Sequence, residues 1–186
     1  MIAQSPYTLT VSTDFDNGIL LKNCWLIILH SSRIPPHVGI MINGSYSSLT
    51  IKGHELDIKA EVLLKTISQK KIEALAVQLV KQPVFSLDYQ KEVFEHYIQQ
   101  FTKVQANEAS CLSPVKLFLQ EFYALSYSQH ELLFEIIERL KQNSYIYNTV
   151  GFNVANKLTQ NELSLPMYTN KQLQEVIEQE TSSQTL

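Results

Sequence analysis

The chain carries two cysteines and five histidines, the side chains best suited to nucleophilic or metal chemistry. Cys111 closes a polar stretch, "QANEASC", directly ahead of an apolar run with helical spacing. A thiol beside a helix N-terminus has its thiolate stabilised by unpaired backbone N–H groups and the helix dipole. To attack an acyl carbon it needs a base. A neutral imidazole within hydrogen-bond reach can take the thiol proton, giving a thiolate-imidazolium pair. The N–H of the cysteine itself can then help hold the oxyanion of the tetrahedral intermediate. His37, at the mouth of "HVGIMI", is the candidate base, and Cys24, inside "CWLIIL" beside Trp25, reads as core. Taken singly, a free cysteine packs as a small apolar residue and a histidine closes a sheet edge. The chemistry is suggested by their conjunction.

Other chemistries find less support. His30, His37, His54 and the cysteines lack the short ligand spacing of structural zinc sites, so no metal and no cofactor is expected. The acidic residues Asp88, Glu92, Glu95, Glu135 and Glu138 read as solvated helix faces. A net charge of -3 and a pI near 5.9 give no global attraction to nucleic acid. The lysines of "KTISQKK" suit a helix end. The N-terminus shows no basic segment followed by an apolar one, and the longest apolar run is too short to span a bilayer. A cytoplasmic protein with reduced thiols is the expectation.

The elements that must position Cys111 and His37 follow from periodicity. "YTLTVST" alternates as a half-buried strand, and "ILLKNCWLIILH" contains a more buried one. "HVGIMI" and "SYSSLTI" flank Asn43-Gly44, whose tolerance of positive φ marks a two-residue hairpin turn. Counting back from that turn pairs Ile42 with Ser45, Gly39 with Ser48 and His37 with Thr50. "ELDIKAEVLLKTISQKK" has apolar residues at 58, 60, 63, 64 and 67, a helical stripe, and "IEALAVQLV" is a compact strand. Ser86 opens a helix through about Val104, and a second follows "ASCLSP". Ser128 and Glu131 form a capping box for a third, while the stretch beyond Asn143 mixes aromatic and turn residues without a period. Thr169 and Gln172 cap a last helix to about Glu180. The pattern predicts a single α+β domain over 1–165, an antiparallel sheet covered by helices, then a C-terminal helix and frayed tail over 166–186.

A strand of the form "LIIL" followed by "HVGI" running into a hairpin resembles the histidine segment of NlpC-type papain-like cysteine hydrolases. A suitable cysteine follows that histidine by 74 residues, which resembles the circularly permuted branch that includes the lecithin retinol acyltransferase group. The resemblance covers about residues 18 to 125 and implies a permuted papain-like fold with Cys111 as nucleophile and His37 as base. It implies a hydrolase or acyltransferase acting through an acyl-enzyme on an amide, peptide or lipid ester. The third residue of that family orients the imidazole, and the hairpin register nominates Thr50, with Ser48 as its same-face neighbour. A hydroxyl there accepts from the ring N–H but supplies no charge to the imidazolium. His54 and Glu55 would serve only in a different register. Pro114, best tolerated at the first helical position, puts the helix start three residues beyond Cys111. The alternative is a catalytically inactive papain-like fold used as a binding or scaffold module, which both departures favour.

Overall fold

The computed structural model describes residues 6–183. Its order is β1 (Tyr7–Thr10), β2 (Cys24–Leu29), β3 (His37–Ile42), β4 (Ser45–Thr50), β5 (Gly53–Lys59), α1 (Ala60–Gln69), β6 (Ala74–Leu79), α2 (Leu87–Gln99), α3 (Leu112–Tyr123), α4 (Leu133–Gln142), β7 (Ile146–Phe152), β8 (Glu162–Leu165) and α5 (Asn170–Ser182). Six strands form one antiparallel sheet in the order β5-β4-β3-β2-β6-β7, and β1 pairs with β8 in a separate two-stranded sheet. The expected α+β class with an antiparallel sheet and helices is therefore observed.

The uninterrupted apolar run of β2 has a physical reason. Both faces of the sheet are covered, so alternation gives way to continuous hydrophobicity. Trp25 and Ile27 pack with Met41 and Tyr46 against Leu63 and Ile67 of α1. Leu26 and Ile28 face the opposite way, with Phe94 of α2, Phe118 of α3 and Ile136 of α4. Cys24 lies on that second face, buried as core. Leu173 and Ile177 bring α5 into the same core, so the C-terminal helix packs on the domain.

Asn43 and Gly44 take φ of 54° and 76°, and β3 and β4 pair in the register counted from the turn, Ile42 with Ser45 and Ile40 with Ser47. Other elements differ in part from the expected pattern. The segment from Glu55, expected as one helix with its stripe at 58, 60, 63, 64 and 67, spans two elements: 53–59 is the edge strand β5, and the helix begins only at Ala60. Ser86 caps α2 as expected, but that helix stops at Gln99 rather than near Val104. Ser128 and Glu131 close a turn ahead of α4, whose own first turn is tied by the Glu135 carboxylate accepting from the Leu132 N–H at 2.6 Å. The unperiodic stretch after Asn143 contains β7 and β8; its pattern is obscured because β7 is an edge strand whose buried and exposed sides change along its length. Thr169 and Gln172 do cap α5 reciprocally. The extreme tail, where fraying was expected, reaches beyond the described residues.

Gly39 is required by close approach. A Cβ there would sit 2.6 Å from the Ser47 carbonyl oxygen and 2.6 Å from a ring carbon of Tyr46. Because one obstacle is backbone, the strands themselves must separate to admit a methyl group. G39A is therefore expected to destabilise the fold by roughly 1–3 kcal/mol. Urea unfolding measures this; a midpoint equal to that of the unsubstituted protein contradicts the packing described.

Candidate functional site

The histidine end of β3 is built by two strand pairings. On one side the Asn-Gly turn fixes β3 against β4. On the other, β4 and β5 begin in one register, Tyr46 opposite Ile58, and continue in another, Ser48 opposite Glu55. The shift is a bulge on β5 with Asp57 at φ 54°, a left-handed conformation that aspartate tolerates better than most residues. Asp57 is held there from several directions. Its N–H donates to Ser47 Oγ at 3.0 Å, Ser45 Oγ donates to its carboxylate at 2.6 Å, and Lys91 pairs with it at 2.6 Å. Hydrogen bonds to the carboxylate from Lys91, then Ser45 and Lys59, hold it well below the usual carboxylate range. Without the extra residue, Ser48 would face Leu56 instead of Glu55.

The consequence is a three-residue chain across three strands. His37 Nε2 lies 3.1 Å from Ser48 Oγ, and Ser48 Oγ donates to Glu55 Oε2 at 3.1 Å. Since the serine proton is committed to the carboxylate, the serine oxygen accepts, and Nε2 must carry the ring proton. Nδ1 is then the basic nitrogen. The residue bonded to the ring is thus Ser48, and Thr50 is engaged elsewhere: its hydroxyl donates to the Gly53 carbonyl at 3.0 Å and accepts from the Lys52 N–H at 3.1 Å. His54 bonds the Phe101 carbonyl through its ring.

Glu55, which the register counted from the hairpin turn leaves outside the site, is brought into it by the bulge. The alternation of "GHELDIK" was a usable signal for a strand there, masked by the helical stripe that runs on from it. Tyr46 is a second addition. Its buried hydroxyl lies beside Ser48, and its ring covers Gly39.

Cys111 stands at the start of α3. It is the residue immediately before the helix, already helical at φ -59° and ψ -21°, with Pro114 third within the helix. The helix thus starts earlier than Pro114 suggested. Proline lacks only an N–H that a first helical turn leaves unpaired, so the third position costs no intrahelical bond. Ser110 braces the junction, its N–H donating to Ser113 Oγ at 3.0 Å and its Oγ accepting from the Leu112 N–H at 3.2 Å.

Cys111, His37, Thr50 and Glu55 line one cleft of about 320 Å³. Its apolar walls include Leu29, Pro36, Val104 and, from α5, Leu173 and Ile177. Burial pushes the Cys111 thiol up to about 11, against backbone hydrogen bonds from Val38, Cys111 and Leu112 that favour the thiolate. The contact with Val38 sets the sulfur against the residue that follows His37. Burial also pushes the His37 ring down to about 4, helped by nearby His30. At neutral pH both groups are uncharged, so the expected thiolate-imidazolium pair is not the resting state; apolar walls disfavour both charges. Cys24 is driven up further by burial alone.

Among the described residues, no group of three or more His, Cys, Asp or Glu side chains is arranged to hold a metal ion, and no helix is long and apolar enough to cross a membrane. No family model matches this sequence, and neither a curated protein nor a solved structure matches it.

The depressed pKa of His37 has a sign. Between about 4 and the ordinary imidazole value of 6.5, the unfolded chain binds a proton that the folded chain does not. Stability is therefore whole above that window and declines as pH falls through it. H37Q is expected to flatten this part of the stability curve, read as the difference between the two proteins in urea unfolding from pH 7 to pH 4. Parallel curves for the two would show that His37 is not buried as a neutral ring.

Proposed function

We propose that this protein is a cysteine hydrolase or acyltransferase of the permuted papain-like kind, acting through an acyl-enzyme on an amide or ester. The single observation that carries the reading is that Cys111 and His37 line one cleft, with Nε2 of His37 committed to Ser48 and, through it, to Glu55. As sulfur bonds to the acyl carbon, the thiol proton passes to His37 Nδ1. The imidazolium so formed is stabilised through Ser48 by the Glu55 carboxylate, which answers the lack of charge at a third-position hydroxyl. The Cys111 N–H at the start of α3 is available to the oxyanion. Collapse expels the leaving group with the proton from His37, and water or a second acceptor, deprotonated by the same ring, releases the acyl group from sulfur. Thr50 has no part in the orienting chain; Ser48 and Glu55 do.

Because thiol and imidazole rest neutral, the proton moves during attack rather than before it. Reactivity in the empty cleft should thus be modest and strongly dependent on His37. The rival reading, a binding module of this fold without catalysis, is favoured by the raised thiol of Cys111. Alkylation of the folded protein followed by peptide mass spectrometry separates the two. Cys111 is expected to label faster than Cys24 near neutral pH, with H37A slowing Cys111 about tenfold or more and S48A and E55Q having smaller effects in that order. Equal, sluggish labelling of both thiols, indifferent to H37A, would sink the catalytic reading. A panel of activated esters and amides, with C111A as control, then locates the acyl adduct.

A further inference from the structure

The turn that joins β2 to β3 carries a feature that the Cys-His chemistry does not use. His30 closes β2 with φ 55°, and its carbonyl accepts from the Arg33 N–H at 2.8 Å, so the chain reverses and brings Arg33 to the lip of the cleft. Arg33 and His30 line two spaces at once. One is the cleft that holds Cys111 and His37, and the other is an adjoining recess of about 350 Å³ that also takes in Lys70, Lys71 and Lys157.

That recess collects four cationic side chains around one carboxylate, Glu73, in a chain whose net charge is -3. Glu73 is already committed. Lys157 pairs with it at 2.6 Å, Ser32 donates to its other oxygen, and Lys157 also donates to Ser32 Oγ at 3.0 Å. Among the described residues, Arg33, Lys70 and Lys71 have no carboxylate partner. The positive field is felt by His30, whose pKa is lowered by burial first and then by Arg33 and Lys70, against the pull of Glu73. A protein that is acidic as a whole has inverted its charge at one end of a cleft whose body is apolar.

We infer that Arg33, with Lys70 and Lys71 in the adjoining recess, forms an anion subsite contiguous with the Cys111 cleft, which holds a carboxylate or phosphate of the substrate while the acyl carbon lies at Cys111. The inference rests on the Cys-His reading for the acyl half only; the anion site stands on the geometry of the 30–33 turn and the recess. A guanidinium suits the role because its fork meets a carboxylate or phosphate with two parallel hydrogen bonds, and the lysines add point charge. Glu180 and Glu55, on other sides of the cleft, discourage an anion from settling there and so direct it to the Arg33 lip.

Iodoacetate and iodoacetamide alkylate thiols alike but differ in one negative charge, so the ratio of their rates at Cys111 reads the local field and cancels the reactivity of the thiol. The full chain is expected to give a ratio about tenfold above that of a free thiol such as glutathione. R33Q should return the ratio toward the free-thiol value, and R33K should keep most of it. A ratio in the unsubstituted protein no higher than that of glutathione, or one that R33Q leaves in place, overturns the subsite. If neither reagent labels Cys111, the acyl reading has failed, and the subsite is judged by binding alone. Inorganic phosphate, pyrophosphate and glutarate are each titrated while the His30 ring is followed by NMR. A saturable rise in the His30 pKa that R33Q removes supports the site, and the stronger of the phosphate and glutarate responses identifies the anion. No saturable response to any of the three refutes it.

Discussion

Strand β4 is the constraint on which this molecule depends, because its two neighbours are set by two different turns of backbone. The Asn43-Gly44 turn fixes β3, and the bulge at Asp57 fixes β5. A strand has a period of two, so a slip of one residue on either side would send every side chain to the wrong face. With both registers held, His37, Ser48 and Glu55 reach one another across three strands. The bulge is maintained at the sheet edge by a carboxylate that bonds Ser45, Lys59 and Lys91, in addition to its own N–H bond to Ser47.

Covering both faces of the sheet gives stability and also decides the electrostatics of the cleft. Each fully buried Leu, Ile or Trp in β2 contributes on the order of 2 kcal/mol. The same apolar environment raises the Cys111 thiol and lowers the His37 ring, so that neither is charged at rest. Charge within the cleft is supplied at its margins instead, by Glu55 behind Ser48, by Glu180 on α5 and by Arg33 on the β2–β3 turn. The cleft thus has polar margins and an apolar body.

The helices contribute position. The start of α3 brings Cys111 beneath β3, where its sulfur meets the backbone of Val38, and Ser110 braces that junction from the preceding loop. The last helix closes the cleft from the other side with Leu173 and Ile177, both nearly buried at 7 % and 4 % exposure. A segment that periodicity marks only as a capped amphipathic helix thus becomes one wall of the site.

Local signals determined a good part of this. Asn43-Gly44 specified a hairpin and its register because few other residues accept two successive positive φ angles. The change from polar loop to apolar run put Cys111 ahead of a helix, although Pro114 pointed to a start three residues later than the observed one, and the capping residues Ser86 and Thr169 marked two helix beginnings. What the chain could not announce locally was anything that depends on two segments meeting. Thr50 and Ser48 are equivalent by residue type, and only the folded structure bonds Ser48 to His37 and turns the Thr50 hydroxyl to Gly53 and Lys52. Glu55 entered the site through a one-residue bulge, whose existence rests on contacts from Ser45, Ser47 and Lys91. Pairing chemistry within a turn is short-range and can be read from two residues. Registers, cleft walls and the protonation of a buried ring are long-range, and they exist only once the layers have packed.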